Sequence, residues 1–228
     1  YNLQLGSSSK WYNIGRTYAL RYAPNSSWLQ SKGISNWGVT TYIAFNEPDL
    51  PQWWTNTSAN GVPAGTSMPI HSGSPYTSQF GGNYHDALEG FSNGVKSVST
   101  SLKVINGGFA TQNSERNYTA RGFASGVADL FNNGKLDGMN LHTYNDNWYA
   151  PLYPSGGWNN EWAVHRQFAL VKSNSGITRD IDFYSDEFNY KNYDTYGATL
   201  DEDRTARNFF TVLWQHLGVP KNNGTSAT

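Results

Sequence analysis

The chain is expected to be an α/β protein with a parallel sheet, and three observations predict it. Short runs of β-branched and aromatic residues alternate with segments whose apolar residues recur at helical spacing. The alternation is strict, four strands and five helices, which is the pattern of strand–helix crossovers rather than of hairpins. Two of the strands end in a glutamate followed at once by polar or chain-breaking residues: Thr40-Thr-Tyr-Ile-Ala-Phe-Asn-Glu-Pro-Asp49 and Asp180-Ile-Asp-Phe-Tyr-Ser-Asp-Glu-Phe-Asn189. A parallel strand delivers such a carboxylate to the mouth of the sheet.

In order along the chain, Trp11, Ile14, Tyr18 and Tyr22 mark a first helix that Pro24-Asn-Ser-Ser stops. Thr40 to Phe45 reads as a strand ending at Glu47. Tyr84, Ala87, Leu88, Phe91, Val95 and Val98 mark the next helix, and Lys103-Val-Ile-Asn-Gly-Gly108 a short strand. A helix around Phe123, Val127 and Leu130-Phe131 leads into a strand from Leu136 to Tyr144. Trp162 to Val171 is a further helix, followed by the strand Ile181 to Glu187. The last helix opens on Thr199-Leu-Asp-Glu202, which has the form of a capping box. Ala206, Phe209, Phe210, Leu213 and Leu217 form its apolar stripe, and Gly218 suits its end.

Composition narrows the function. At 228 residues the chain can bury a real core as a single domain. Charged residues are only 14% and the net charge is −1, so no basic field draws nucleic acid to it. Aromatics are 15%, with 9 Trp and 15 Tyr, and the missing charge is replaced by Asn, Ser, Thr and Gly. Such a surface of neutral hydrogen-bonding groups and aromatic rings suits sugars, which offer hydroxyls and apolar C–H faces without charge. It equally suits an extracellular protein with a neutral surface, and a secreted or periplasmic location is expected. There is no cysteine, which removes disulfides and thiolate chemistry. His71, His85, His142, His165 and His216 show no ligand spacing, so neither a metal nor a cofactor is expected. No apolar run reaches the roughly 20 residues of a membrane span.

Two strand-end carboxylates facing one cleft are the machinery of glycoside hydrolysis, one protonating the leaving oxygen and the other attacking or activating water. Asn46-Glu47-Pro48 followed by the strand-end Glu187 resembles the large clan of retaining glycoside hydrolases built on (β/α)8 barrels. In that clan an Asn-Glu pair ends strand four and a second Glu ends strand seven. The resemblance implies Glu47 as general acid/base and Glu187 as nucleophile. The acid needs a carboxyl that holds its proton near neutral pH, and burial with a nearby carboxylate would favour that. Asn46 is implied as donor to the sugar 2-hydroxyl. His142 and Tyr144 lie on one face of the preceding strand, and Tyr144 is implied as the group holding the nucleophile. The alternative for Glu47 is a solvated loop carboxylate or helix cap, and for Tyr144 a rim aromatic. Asp186 is expected on the opposite face from Glu187 by strand alternation. Asp49 and Asp146 are expected to serve turns in loops.

Matched to the clan, the chain runs roughly from helix 3 to helix 7 of the barrel. Residues 1–228 would be a single, partial catalytic domain, with strands 1–3 and 8 expected from the same parent chain. Only 45 residues precede Asn46, where three strand–helix units need roughly 90 or more. Two connections, Pro48 to Phe80 and Asn145 to Asn160, are long and follow strands, which puts them on the C-terminal face. They carry Trp53, Trp54, Trp148 and Trp158, candidate platforms for sugar rings, or alternatively residues that seal these loops onto the barrel. The expected function is a retaining hydrolase of a polysaccharide or oligosaccharide, endo-acting, with a lean toward the agarase- and porphyranase-like families. The alternative is an inactive barrel kept as a carbohydrate-binding or scaffold module.

Overall fold

The computed structural model describes residues 6–49, 69–73, 81–110, 122–142 and 164–187, with side chains of 164–167 left aside. The last expected helix, 199–218, lies outside the described residues. The first helix, α1 (Ser8–Tyr22), opens on Ser7, whose hydroxyl accepts from the Lys10 amide. It stops at Ala23 before Pro24, and a short helix, α2 (Ser27–Ser31), follows with Ser26 as its cap. Strand β1 (Thr41–Ala44) comes next, then α3 (Tyr84–Lys96). Asn83 starts α3 by a reciprocal pair: its Oδ1 accepts from the Asp86 amide at 2.9 Å, and its Nδ2 donates to the Asp86 carboxylate at 3.0 Å.

Strand β2 (Lys103–Asn106) is followed, after two glycines, by β3 (Phe109–Ala110). Residues 122–126 are helical and α4 (Ala128–Asn132) continues from them. Then come β4 (Gly138–His142), α5 (Val164–Ser175) and β5 (Asp182–Tyr184). The alternation read from the sequence is therefore present. Strand β5 is shorter than expected, stopping three residues before Glu187, and β4 is described as far as His142, with Tyr144 outside the described residues.

Every described pairing is parallel. β1 pairs with β2, β2 with β4, and β4 with β5, so neighbours in the sheet follow chain order. β3 also lies against β4, pairing Phe109 with Leu141 and Ala110 with His142. Between the Ile105–Gly138 pair and the Phe109–Leu141 pair, one side advances a residue more than the other. This is a bulge, and the Asn106 side chain repairs the ladder there. Its Nδ2 donates to the Asn140 carbonyl at 3.0 Å and its Oδ1 accepts from the Asn140 amide at 2.8 Å.

One core cluster gathers residues from α1, α3, 122–132 and α5 against a single face of the sheet. Ala19, Leu88, Phe91, Val95, Phe131, Phe168 and Val171 meet Tyr42, Ala44, Val104, Met139 and Leu141 in it. Alternation sends Ile43, Ile105, Asn140 and His142 to the other face. There Ile43 is exposed while Ile105, Asn140 and His142 are buried. The first helix sits close on α3, because a methyl on Gly15, Gly90 or Gly94 would overlap a backbone oxygen of the facing helix. No helix among the described residues is long and apolar enough to cross a membrane.

Candidate functional site

The polar residues of the second sheet face collect where the parallel strands end. Beyond β1 the backbone leaves extended geometry: Phe45 has φ +74° and Glu47 φ +44°. Left-handed conformations at non-glycine residues cost on the order of 1–3 kcal/mol each, and surrounding structure has to hold them. Phe45 is gripped by the Trp11 ring at 4.4 Å and the Tyr84 ring at 5.3 Å. The Glu47 amide donates to the Gly108 carbonyl at 3.0 Å. The result is a sharp turn that swings the Glu47 carboxylate inward, leaving it 4% exposed, while Asn46 stays exposed beside it.

His142, the last residue of β4, is fully buried. Its Nδ1 lies 3.0 Å from Glu47 Oε1 and 3.4 Å from Glu187 Oε2. Its Nε2 lies 3.2 Å from Asp186 Oδ1. Burial alone would push the imidazole down, but contact with Asp186 and Glu47 and the charges of Glu187 and Asp186 outweigh it, raising it to about 9. Asp186 is in turn lowered, chiefly by His142, with Asn140 contributing. Asn140 clamps Asp186 from below, its Nδ2 donating to Asp186 Oδ1 at 2.7 Å. Gly108 makes space for the ring, since a methyl there would overlap His142 Cδ2 and Nε2.

Asp49 lies just behind. It is 1% exposed, and both carboxylate oxygens accept from the Ala110 amide, at 2.9 and 3.1 Å. Burial raises its carboxyl to about 7; the Ala110 amide opposes this, and the charge of Glu47 adds to it. The fully buried Tyr84 hydroxyl has no hydrogen-bond partner among the described residues and is pushed well up, by burial first and the Asp49 charge second.

The structure thus brings Glu47, Glu187 and His142 together, with a ligand-type atom of each within 4.8 Å of the others. Two carboxylates and an imidazole would suit a cation as a donor set. Here, however, Nδ1 already faces two carboxylate oxygens, the geometry of an N–H shared between acceptors, and no step below uses a metal. Tyr144, Trp53, Trp54, Trp148 and Trp158 lie outside the described residues. One expectation is corrected. Asp186 is not on the face opposite Glu187: both carboxylates reach the same imidazole, because β5 ends at Tyr184 and strand alternation no longer governs the residues beyond it. Asp49 lies in a turn, as expected, and is in addition a buried strut between the β1 end and β3.

Asn140 and Gly108 were missed as site residues. Their signals were present in Gly138-Met-Asn-Leu-His142, where polar Asn140 and His142 alternate with apolar Met139 and Leu141, and in the paired glycines before Phe109. No protein-family model matches the chain, and no curated protein matches it. The functional argument therefore rests on the geometry of the site.

Proposed function

We propose that this protein is a retaining glycoside hydrolase acting on a polysaccharide or oligosaccharide, with Glu187 as nucleophile and Glu47 as general acid/base. The observation that carries the reading is the convergence of these two carboxylates on one imidazole. They follow strands three steps apart in the sheet, roughly 14 Å at ordinary strand spacing. Side chains stand roughly perpendicular to a sheet. Carboxylate oxygens within 4.8 Å therefore call for a sheet curled toward that face. Curling, chain-order pairing and, among the described residues, a core of helices gathered against one face are what a segment of a (β/α)8 barrel would display. A doubly wound sheet would carry helices on both faces.

The separation also suits double displacement. Retaining enzymes hold their carboxyls about 5–5.5 Å apart, and inverting enzymes about 6.5–9.5 Å, to admit a water. Glu187 is 43% exposed on its side chain and Glu47 only 5%. The accessible carboxylate is the one that must reach an anomeric carbon, and the buried one is the one that must retain a proton. In the first step the Glu187 oxygen bonds to the anomeric carbon as the glycosidic C–O bond breaks, and the Glu47 carboxyl protonates the departing oxygen. In the second step Glu47, now ionised, takes a proton from water, whose oxygen displaces Glu187. His142 contacts both carboxylates, so its N–H can follow the negative charge from one to the other. Asn46, exposed beside Glu47, is positioned to meet a sugar hydroxyl.

The test is an assay of the full-length protein against agar-type galactans, porphyran and xylan, with reducing ends measured and the anomer of the first product read by NMR. Release of product with retained configuration, lost in Glu187→Gln, is expected. Inverted configuration, or unimpaired turnover in that variant, would overturn the assignment, and binding without any cleavage would favour a carbohydrate-binding module.

A further inference from the structure

Glu47, Glu187 and His142 have roles in the proposed reaction, but the carboxylate on the far side of the ring has none. Asp186 lies 3.2 Å from His142 Nε2. Asn140 holds Asp186 in two ways: its Nδ2 donates to Oδ1 at 2.7 Å, and its Oδ1 accepts from the Asp186 amide at 3.4 Å. Asn140 is itself fixed through its own backbone by the Asn106 side chain at the bulge. A chain of contacts therefore runs from the sheet ladder through Asn106, Asn140 and Asp186 to the imidazole. The ring has little room to turn, since it is fully buried and fits over Gly108.

The donor and acceptor count decides what this clamp does. Ionised carboxylates only accept. The ring faces Asp186 with one nitrogen and Glu47 with Glu187 at the other. Asp186 and the nucleophile Glu187, both ionised in the proposed reaction, face opposite nitrogens, so a neutral imidazole with its single N–H would set a lone pair against one of them. Two N–H groups set a positive ring against both sides, the Asp186 contact at Nε2 being an ion pair at 3.2 Å rather than an aligned hydrogen bond.

We propose that Asp186 is a positioning residue that holds His142 doubly protonated, with its Nδ1–H aimed into the gap between the two catalytic glutamates. This rests on the glycosidase reading for its consequence but not for its structural content. A related arrangement, in which a carboxylate fixes the tautomer and direction of a catalytic histidine, is a general device of active sites. Here the proton so placed is shared by the acid/base and the nucleophile. Loss of Asp186 would free the ring to become neutral and remove the positive charge that the Nδ1–H presents to the two glutamates. The groups facing the ring are Glu47 beyond β1, Asp186 and Glu187 beyond β5, with Asp49 acting through its charge.

The experiment has two arms on the full-length protein. The first needs no substrate: ¹⁵N spectra of the histidine rings at pH 7, with His142 assigned by difference from His142→Gln. Two protonated nitrogens are expected in the wild type and a single N–H in Asp186→Asn, whose amide can donate to Nε2. Asp186 is partly exposed at a strand end, so this variant is expected to melt near the wild-type temperature. An unchanged His142 spectrum in Asp186→Asn would overturn the proposal. The second arm measures turnover on whichever glycan the wild type cleaves. Asp186→Ala is expected to lower kcat about 10- to 100-fold, the scale of a misplaced catalytic group, with KM little changed. A proportionate loss in kcat and melting temperature, with no change in the ring spectrum, would mark a merely structural role. Absence of wild-type turnover on every glycan would count against the glycosidase reading alone, because the spectra judge Asp186 independently.

Discussion

Replacing Asp49 with asparagine should change how the stability of the fold depends on pH, by an amount the structure sets. In the folded chain burial raises this carboxyl from 3.8 to about 7. The folded state therefore keeps a proton over a range where the unfolded chain has lost it. The sign follows: the contribution is fully present below about pH 3.8 and is lost as pH rises through about 7. A displacement of that size corresponds to roughly 4 kcal/mol. For a chain of this length 1 kcal/mol moves the melting temperature by about 2–4 °C, so the effect is about 8–16 °C. Asparagine keeps an oxygen to accept from the Ala110 amide and has no proton to lose in this range. Thermal melts of both proteins by circular dichroism from pH 4 to 8 make the comparison. Similar melting temperatures are expected near pH 4, with the variant gaining steadily on the wild type toward pH 7.5. Parallel profiles across the whole range would refute the claim that Asp49 carries a proton in the folded state.

Glu187→Gln should cut turnover by about 10³-fold or more, since an amide cannot form the glycosyl ester, whereas Glu47→Gln should recover rate on aryl glycosides whose leaving group needs no proton; equal losses on both substrate types would reject the acid/base assignment. Gly108→Ala should lower activity by about tenfold or more, because the added methyl overlaps the His142 ring and must displace it, measured as kcat on the same substrate. Gly94→Ala should destabilise by about 1–3 kcal/mol in denaturant titration, since the Cβ meets the Tyr12 carbonyl oxygen, a backbone atom with no freedom to move aside. His142, raised to about 9, should add stability that is complete below about pH 6.5 and lost as pH rises through 9; His142→Gln should flatten the alkaline limb of the melting profile.

Much of this was legible in the chain itself. Helical spacing located α1 and α3, β-branched runs located the strands, and strict alternation required parallel pairing. The two strand-end glutamates were visible for the same reason, as polar breaks after apolar runs. Asn140 and His142 were visible too, as the polar half of an alternating strand. These are local features, and local spacing is what a sequence states directly.

The tertiary structure decided what local spacing cannot. Alternation assigned Asp186 to the face opposite Glu187, but the rule holds only while the backbone stays extended, and β5 ends before either residue. The bulge at 106–108 appears only when two distant strands are aligned, because it is a mismatch between them. Burial of Asp49 depends on β3 lying beside the β1 turn, and so does the displacement of its proton affinity. The approach of Glu47 to Glu187 joins the ends of two distant strands and is absent from either segment alone. Sequence supplied the carboxylates and the imidazole; which oxygen faces which nitrogen was fixed by packing, since hydrogen-bond geometry turns on a few tenths of an ångström.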